Sequence, residues 1–346
     1  MSKEVTGYNT LQKRPSFGMY YGTVGTGNTP GQRMKVEFME SFGLPIKNDE
    51  AFDYIEVKGT SPIYPNSDFC FSFGPLFGEA TNRRSKLRQS LGKHYSKQKY
   101  GGIFYFDADP LKMYDNPNVL PRVRIAYGSI WPDKAEYFLK GNASRWDKIK
   151  SQKNIVLKDY NYSNQGEFIY ICCNRGSGGY SAKGKNACEW AIETTNELRK
   201  YTARPIIIRQ HSSTSYASYS DDFYKLQKFA RENSNVKIES PSDIGNYPNI
   251  IEQTKKAHSV IVYTSTAGVS AIVEGKPLYV LGNWSYLYSM NHGDLSEIEN
   301  PNLNMHSQRE RFFDYYSRCH FNKNELRKGL YWNRIRGRLL SEWKKL

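Results

Sequence analysis

Two acidic residues follow a strongly apolar run in the first third of the sequence. The run is Gly102 to Phe106, and Asp107 and Asp109 come directly after it. A carboxylate at the end of a buried strand can act as a general base that removes the proton of an acceptor hydroxyl. Alternation along a strand points both side chains to the same side, so either acid could act. A turn aspartate before Pro110 is the alternative interpretation.

A second chemical signal lies in residues 257–282, AHSVIVYTSTAGVSAIVEGKPLYVLG. An apolar strand leads into Ser265, Thr266 and Gly268, where a helix is predicted to begin. Hydroxyls and unpaired backbone N–H groups at a helix N-terminus attract phosphate. Glu274, two turns later, is predicted to accept a hydrogen bond from a ribose hydroxyl. An ordinary Ser/Thr cap followed by a glutamate on a solvated face is the competing interpretation.

Cationic groups are predicted to join this phosphate site. Arg209 and His211 follow the apolar strand 205–209, and a guanidinium matches phosphate oxygens well. Arg175 lies in a Gly- and Ser-rich loop after another apolar run. The stretch 179–186 is close to a Walker A loop, but Asn186 occupies the position where Ser or Thr should bind Mg²⁺. We therefore do not assign a P-loop.

The first Gly-rich loop and a basic region complete the set of candidate residues. Gly25 and Gly27 belong to the loop 22–28, a candidate ligand-binding loop. Lys and Arg without fixed spacing suffice to bind nucleic-acid phosphates. The candidate DNA contacts are Arg83, Arg84, Arg88, Lys93, Arg122 and Arg124. A solvated helix face is the alternative interpretation of the first four.

Composition sets limits on these assignments. The chain has 49 Lys and Arg against 34 Asp and Glu, a net charge of +15, which favours a polyanionic partner. Five cysteines without a C-x-x-C pair favour reduced thiols and a cytoplasmic location. Neither a signal-peptide core nor a long apolar run is present, so no membrane partner is expected. The histidines show no metal-ligand spacing, and the sequence requires no divalent metal.

The elements that must position these residues alternate between strand and helix. The pattern predicts two α/β domains, each with a parallel sheet. Residues 1–145 are expected to form one Rossmann-like domain, and residues 146–323 a second. Residues 324–346 are expected to form a basic helix. The protein is predicted to be a monomer.

Several of these motifs together resemble a known class of enzyme. The order of strand, S-T-x-G turn, helix, E-G-K-P and strand in 257–282 resembles the donor-binding half of twin-Rossmann (GT-B) glycosyltransferases. The motifs RPIIIRQH at 204–211, IENP at 298–301 and NELRKGLYW at 324–332 are similar to those of phage-encoded glycosyltransferases. The likeness covers roughly residues 120–340. Gln210 and Ser212 replace the two prolines of the R/K-P-H-P element of those families.

The resemblance implies a fold of two Rossmann-like domains that face each other across a cleft, residues 1–145 binding the acceptor (DNA) and residues 146–323 the nucleotide sugar. It also implies that the loop of Gly25 and Gly27 faces the donor sugar and that the C-terminal helix returns to the first domain. It implies transfer of a sugar from a nucleotide-diphosphate donor, such as a UDP-sugar, and no other cofactor. By position it selects Asp109 over Asp107, because Asp109 matches the catalytic aspartate of phage DNA β-glucosyltransferase. The acceptor it implies is the hydroxyl of 5-hydroxymethylcytosine in double-stranded phage DNA, in the host cytoplasm.

Three other functions fit the same residues. One is a glycosyltransferase that acts on a polysaccharide or lipid-linked acceptor. A second is a non-catalytic nucleic-acid-binding protein, and a third is a sugar-nucleotide epimerase. A DNA acceptor predicts a continuous basic surface beside Asp109, whereas a lipid acceptor predicts an exposed amphipathic patch.

Overall fold

The structure is a computed structural model, and it describes most of the chain. The described residues are 14–24, 29–59, 67–73, 83–95, 102–116, 118–128, 143–160, 166–174, 186–211, 221–241, 247–283 and 285–344. Within these ranges, no helix combines the length and apolarity that crossing a bilayer requires.

Six strands build the sheet of the first domain, in the order β11-β5-β4-β3-β1-β2. Four of them, β1 to β4, are mutually parallel, whereas β5 and β11 run antiparallel to their neighbours. The strands are β1 (Ser16–Tyr20), β2 (Asp53–Val57), β3 (Phe69–Phe73), β4 (Ile103–Ala108), β5 (Arg122–Tyr127) and β11 (His320–Asn322). The sequence predicted the parallel four but neither antiparallel strand.

Two helices of the first domain cover opposite faces of this sheet, α1 (Pro30–Lys47) and α2 (Arg83–Tyr95). The α1 helix begins in a capping box, in which Thr29 accepts from the backbone of Gln32 and the side chain of Gln32 accepts in return. That arrangement satisfies two otherwise unpaired N–H groups. Phe42 of α1 packs against Phe71 of β3 with ring centroids 4.8 Å apart.

The C-terminal segment completes the first domain. It consists of α9 (Lys323–Arg327) and α10 (Trp332–Trp343), which follow β11 and pack on α1. Gly329 lies in the turn between the two helices, where its φ of +69° is a conformation that residues with a side chain rarely adopt. Trp332 is buried against Phe17 and Phe52, at centroid distances of 5.9 and 4.8 Å. The predicted return to the first domain is confirmed, and it begins at β11, before residue 324.

The second domain has a five-stranded parallel sheet in the order β10-β9-β6-β7-β8. The strands are β6 (Phe168–Cys172), β7 (Ile206–Arg209), β8 (Val236–Glu239), β9 (Ala257–Val262) and β10 (Leu278–Val280). The helices between them are α4 (Ala187–Leu198), α5 (Asp221–Glu232), α6 (Ile250–Lys256) and α7 (Gly268–Glu274). This is the predicted Rossmann-like order.

Two further helices, α3 (Ala143–Gln152) and α8 (His306–Cys319), lie between the domains and pack on each other. The rings of Trp146 and Phe313 stack with centroids 4.3 Å apart, within the same apolar cluster as Val260 and Val262 of β9. The predicted boundary at residue 145 therefore lies inside α3. The fold class, two Rossmann-like α/β domains, is confirmed.

Candidate functional site

The strand order of the second sheet creates one topological switch point. From β6 the chain proceeds through β7 and β8 on one side, and then returns to β9 on the other. Open α/β sheets bind ligands in the crevice at the carboxyl ends of the strands at such a point. Asn174 follows β6 and Thr264 follows β9, and Asn174 Nδ2 donates to Thr264 Oγ1 at 2.7 Å. This pair bridges the two strands that flank the crevice.

Ser265 and Thr266 lie beside this bridge, and both are half-buried. The first N–H groups of α7 are already bonded, because those of Gly268, Val269 and Ser270 donate to carbonyls three residues earlier. The N–H of Ala267 lies 3.4 Å from Ser265 Oγ. The two hydroxyls, rather than a row of unpaired amides, are therefore the donors that the turn offers to a ligand.

Gly268 has a packing role in addition. A Cβ at this position would come within 3.0 Å of the terminal carbons of both Leu278 and Leu287. The absence of a side chain lets α7 lie close to the sheet, which fixes the height of the Ser265–Thr266 turn. This packing explains the glycine without a ligand, and the role of Gly268 in donor binding stays a prediction.

Arg209 lies at the carboxyl end of β7, two strands from β9, or about 10 Å. Its Nη1 donates to Tyr170 Oη, Glu239 Oε2 and the carbonyl of Pro248, each at 2.9 Å. Its guanidinium also stacks on the ring of Tyr247 at 3.9 Å. Arg209 is thus held in a buried network, and only the opposite edge of its guanidinium remains for a phosphate.

The other residues predicted to bind the donor are His211, Arg175, Gly25, Gly27 and Glu274. His211 lies half-buried just beyond β7. Arg175, Gly25 and Gly27 fall outside the described residues, so their roles stay predictions. Glu274 is the last residue of α7, about 10 Å along the helix from Gly268. Its carboxylate accepts from Tyr114 Oη of the first domain at 3.3 Å, and burial raises its pKa.

The two candidate bases occupy different environments. Asp109 is buried, with Oδ2 3.0 Å from Lys153 Nζ and Oδ1 accepting from Tyr316 Oη at 2.7 Å. Its side chain is 2% exposed. Asp107 is 30% exposed and accepts from Arg124 Nη2 at 2.5 Å. An acceptor hydroxyl could reach Asp107 in this conformation but not Asp109.

The environment of Asp107 also joins the domains. The guanidinium of Arg124 lies 4.6 Å above the ring of Tyr286, which follows β10 in the second domain. Arg124 is therefore sandwiched between the carboxylate of Asp107 and an aromatic ring of the opposite domain. This contact brings the carboxyl ends of β4 and β10 to the same interdomain region.

The predicted DNA contacts divide into two groups. Arg122 and Arg124 have side chains only 1% and 4% exposed, and both pair with carboxylates inside the protein. DNA phosphates cannot reach buried guanidinium groups, so we no longer assign these two to a DNA surface.

The other four lie on α2. Arg83, Arg84 and Lys93 are exposed, and Arg88 is half-buried. Arg88 Nε donates to the Thr23 carbonyl at 2.9 Å, and Arg84 Nη1 to that of Val24 at 3.2 Å. These two arginines hold the turn after β1, while the outer face of α2 remains basic.

Sequence reasoning missed the buried charges that hold this region together. Arg122 and Arg145 both donate to Glu325, at 2.8 and 2.9 Å. Burial alone would raise the pKa of Glu325, but hydrogen bonds from Arg145 and the charge of Arg122 lower it overall. Because Arg122, Arg145 and Glu325 are far apart in sequence, no local pattern marks their contact.

The chain also aligns with solved structures over most of its length. No protein-family model matches the sequence, and a comparison with curated proteins gives no match. The β-Kdo 2,7 transferase of Thermosulfurimonas dismutans KpsC is 10% identical, with a TM-score of 0.45 over 91% of this chain and 99% of that one.

Two other structures align less well. The S. aureus MnaA–UDP structure is 11% identical, with a TM-score of 0.33 over 89% of this chain and 91% of that one. The wall teichoic acid polymerase TagF is 13% identical, with a TM-score of 0.28 over 96% of this chain and 90% of that one. Because these similarities are low, the assignment of the fold rests on the strand order and packing described above.

Proposed function

We propose that the protein is a glycosyltransferase that uses a nucleotide-diphosphate sugar. The observation that carries this proposal is the crevice between β6 and β9, where the Asn174–Thr264 bridge and the hydroxyls of Ser265 and Thr266 meet. Hydroxyl donors at such a switch point suit a diphosphate. Among the described residues, Asp107 is the carboxylate of the first domain that fits a general base facing this region.

The proposed division of labour follows from burial. The donor diphosphate would contact Ser265 and Thr266, with Arg209 or Arg175 adding positive charge as the diphosphate leaves. Asp107 would take the proton of the acceptor hydroxyl, with Arg124 fixing the orientation of its carboxylate. Asp109, the acid selected by resemblance, would hold the catalytic strand in place through Lys153 and Tyr316.

Two acceptors remain in this proposal. A hydroxylated base in DNA is supported by the exposed cations of α2, Arg83, Arg84 and Lys93. A glycan or lipid-linked acceptor is supported by the internal pairing of Arg122 and Arg124, because the cations nearest the acids are unavailable to DNA phosphates. Among the described residues near Asp107, the basic surface is therefore interrupted, and we place the glycan or lipid-linked acceptor first.

The decisive experiment presents donors and acceptors together. The protein is incubated with a panel of nucleotide sugars and with hydroxymethylated duplex DNA or bacterial lipid-linked glycans, and the products are analysed by mass spectrometry. Transfer to one acceptor class identifies it. Absence of any nucleotide-sugar binding by calorimetry would leave a non-catalytic binding protein, and donor conversion without acceptor would indicate an epimerase.

A further inference from the structure

The C-terminal segment has an outer surface that the fold does not use. The inner face of α10 packs against the first domain, and Trp332, Ile335 and Leu339 are buried in the core of that domain. On the outside, Leu330 is 40% exposed at the turn between α9 and α10, and Leu44 of α1 is 44% exposed. Gly329 lies against Pro45, which places these two leucines beside the same contact.

Unpaired cations surround the leucines. Lys323 pairs with Glu37 and Arg336 with Asp49, so those charges are neutralised. Lys47, Arg327 and Lys328 are exposed and form no close ion pair within the described part of the chain, although the charge of Arg327 helps to lower the pKa of Glu37. We call Leu44, Lys47, Arg327, Lys328 and Leu330 the outer basic surface.

An open groove of about 810 Å³ lies next to this surface and shares Arg327 and Lys328 with it. Its lining includes Arg327 and Lys328 together with Asp49 and Glu50. Asp49 is already bound by Arg336 and by Trp332 Nε1, so Glu50 is the acid of the lining that keeps an uncompensated charge among the described residues. Cations therefore outnumber acids at the groove.

The position of this surface leaves the candidate site open. The α1 helix begins after the carboxyl end of β1 and ends at Lys47, shortly before the amino end of β2. The outer basic surface therefore lies at the amino edge of the first sheet, whereas Asp107 lies at the carboxyl edge. A strand of five residues spans about 17 Å. A partner bound here would not cover the crevice of the second domain.

Although the sequence alone led us to expect no membrane partner, we propose that the outer basic surface docks on an anionic phospholipid membrane. Leucines that project beside unpaired cations match a bilayer surface, because the apolar groups enter the acyl boundary and the cations contact lipid phosphates. A nucleic acid would engage the cations but would leave both leucines in water. The leucines therefore favour lipid as the occupant. The inference does not depend on catalysis, so an inactive Asp107→Asn variant should bind equally well.

Vesicle co-sedimentation of the full-length protein tests this proposal. Phosphatidylcholine vesicles that contain phosphatidylglycerol should sediment the protein, and pure phosphatidylcholine vesicles should not. The double variant Arg327→Glu/Lys328→Glu should bind about tenfold or more weakly, because each cation near an anionic surface contributes several-fold. Leu330→Gln should also weaken binding while leaving the charge unchanged.

The matched control reverses the same number of charges on α5 of the second domain. Lys225 and Lys228 are 63% and 62% exposed, and Lys225→Glu/Lys228→Glu should bind vesicles like the parent. Thermal unfolding checks that each variant is folded. Failure of the parent to bind phosphatidylglycerol vesicles would overturn the proposal. So would equal losses in the control, or a Leu330→Gln protein that binds normally while duplex DNA competes with the vesicles.

Discussion

Lys153 Nζ lies 3.0 Å from Asp109 Oδ2, and neither side chain is more than 2% exposed. Lys153 also pairs with Asp115 and donates to the carbonyl of Leu111 at 3.2 Å. One ammonium group at the end of α3 therefore fixes the segment that follows β4. The carboxylate that the resemblance selected for catalysis is, in this conformation, part of the connection between the domains.

Removal of Lys153 should destabilise the protein strongly. Lys153→Met leaves two carboxylates in a buried site without their cation, and breaking a buried ion pair typically costs about 3–5 kcal/mol. The free energy of unfolding in urea measures the loss. The matched change Lys150→Met, at an exposed pair with Asp147, should cost less than about 1 kcal/mol. Equal effects of the two changes would contradict the proposed role of Lys153.

The substitutions Asp107→Asn and Asp109→Asn should have different effects. Asp107→Asn is expected to abolish sugar transfer with little change in donor affinity, because it removes the proposed base but touches no donor residue. Asp109→Asn is expected to lower the melting temperature, because it removes the negative charge that faces Lys153. Activity assays, calorimetry with UDP and thermal unfolding separate the two effects. Normal turnover by Asp107→Asn would remove that residue from the role of base.

Donor affinity should depend on the hydroxyls at the switch point. The double change Ser265→Ala/Thr266→Ala is expected to weaken UDP binding about a hundredfold or more, since hydrogen bonds to a charged group contribute about 1.5–3 kcal/mol each. Ser341→Ala, on the exposed face of α10, is the matched control. Calorimetric titration with UDP gives the dissociation constants. Unchanged affinity in the double variant would place the nucleotide elsewhere.

Stability should fall on mild acidification because of His320. Burial and the nearby charges of Arg124 and Arg122 hold the pKa of this imidazole well below its usual range. The folded protein therefore keeps His320 neutral while the unfolded chain takes up a proton below about pH 6.5. The free energy of unfolding should decrease from pH 7.5 towards about 5.5. His320→Gln should flatten this dependence, and an unaltered slope would show that other groups cause it.

The backbone geometry at Gly275 tests how the end of α7 packs against residues 158 and 159. Gly275 has a φ of +64°, and a Cβ would lie 2.4 Å from the carbonyl oxygen of Asp159. Gly275→Ala should cost about 1–3 kcal/mol, because strain and a backbone clash add. Gly337→Ala is the control, because Gly337 lies inside α10 and a Cβ there would meet nothing within 4 Å. That change should stabilise the protein by up to about 1 kcal/mol.

Regular periodicity explains why much of the fold was predictable. The parallel strands β3, β6 and β9 carry apolar runs of the kind that a sheet covered on both faces buries. The antiparallel strand β11 escaped prediction for a physical reason. His320–Asn322 is three residues long, and its pairing with β5 bridges about 200 positions of the chain, a distance at which no local pattern gives a signal.

The candidate site was predictable only in part. The sequence placed Ser265 and Thr266 at a strand end and Arg209 at the end of another, because parallel strands bring their carboxyl ends to one edge. It could not indicate that Arg209 already donates hydrogen bonds to Tyr170 and Glu239, since those contacts depend on neighbouring strands and on the chain that precedes α6. Nor could it separate Asp107 from Asp109, whose alternation along the strand is identical.

The sequence by itself determined two α/β domains, the parallel strands of each sheet, and the hydroxyl-bearing turn after β9. These follow from local hydrophobic period and turn chemistry, which act over a few residues. Only the tertiary structure decided which charges are buried. The burial of Asp109, Arg122 and Lys153 depends on α3 and α8 covering the end of β4, and the free energy of a charge is set by the groups that surround it in space.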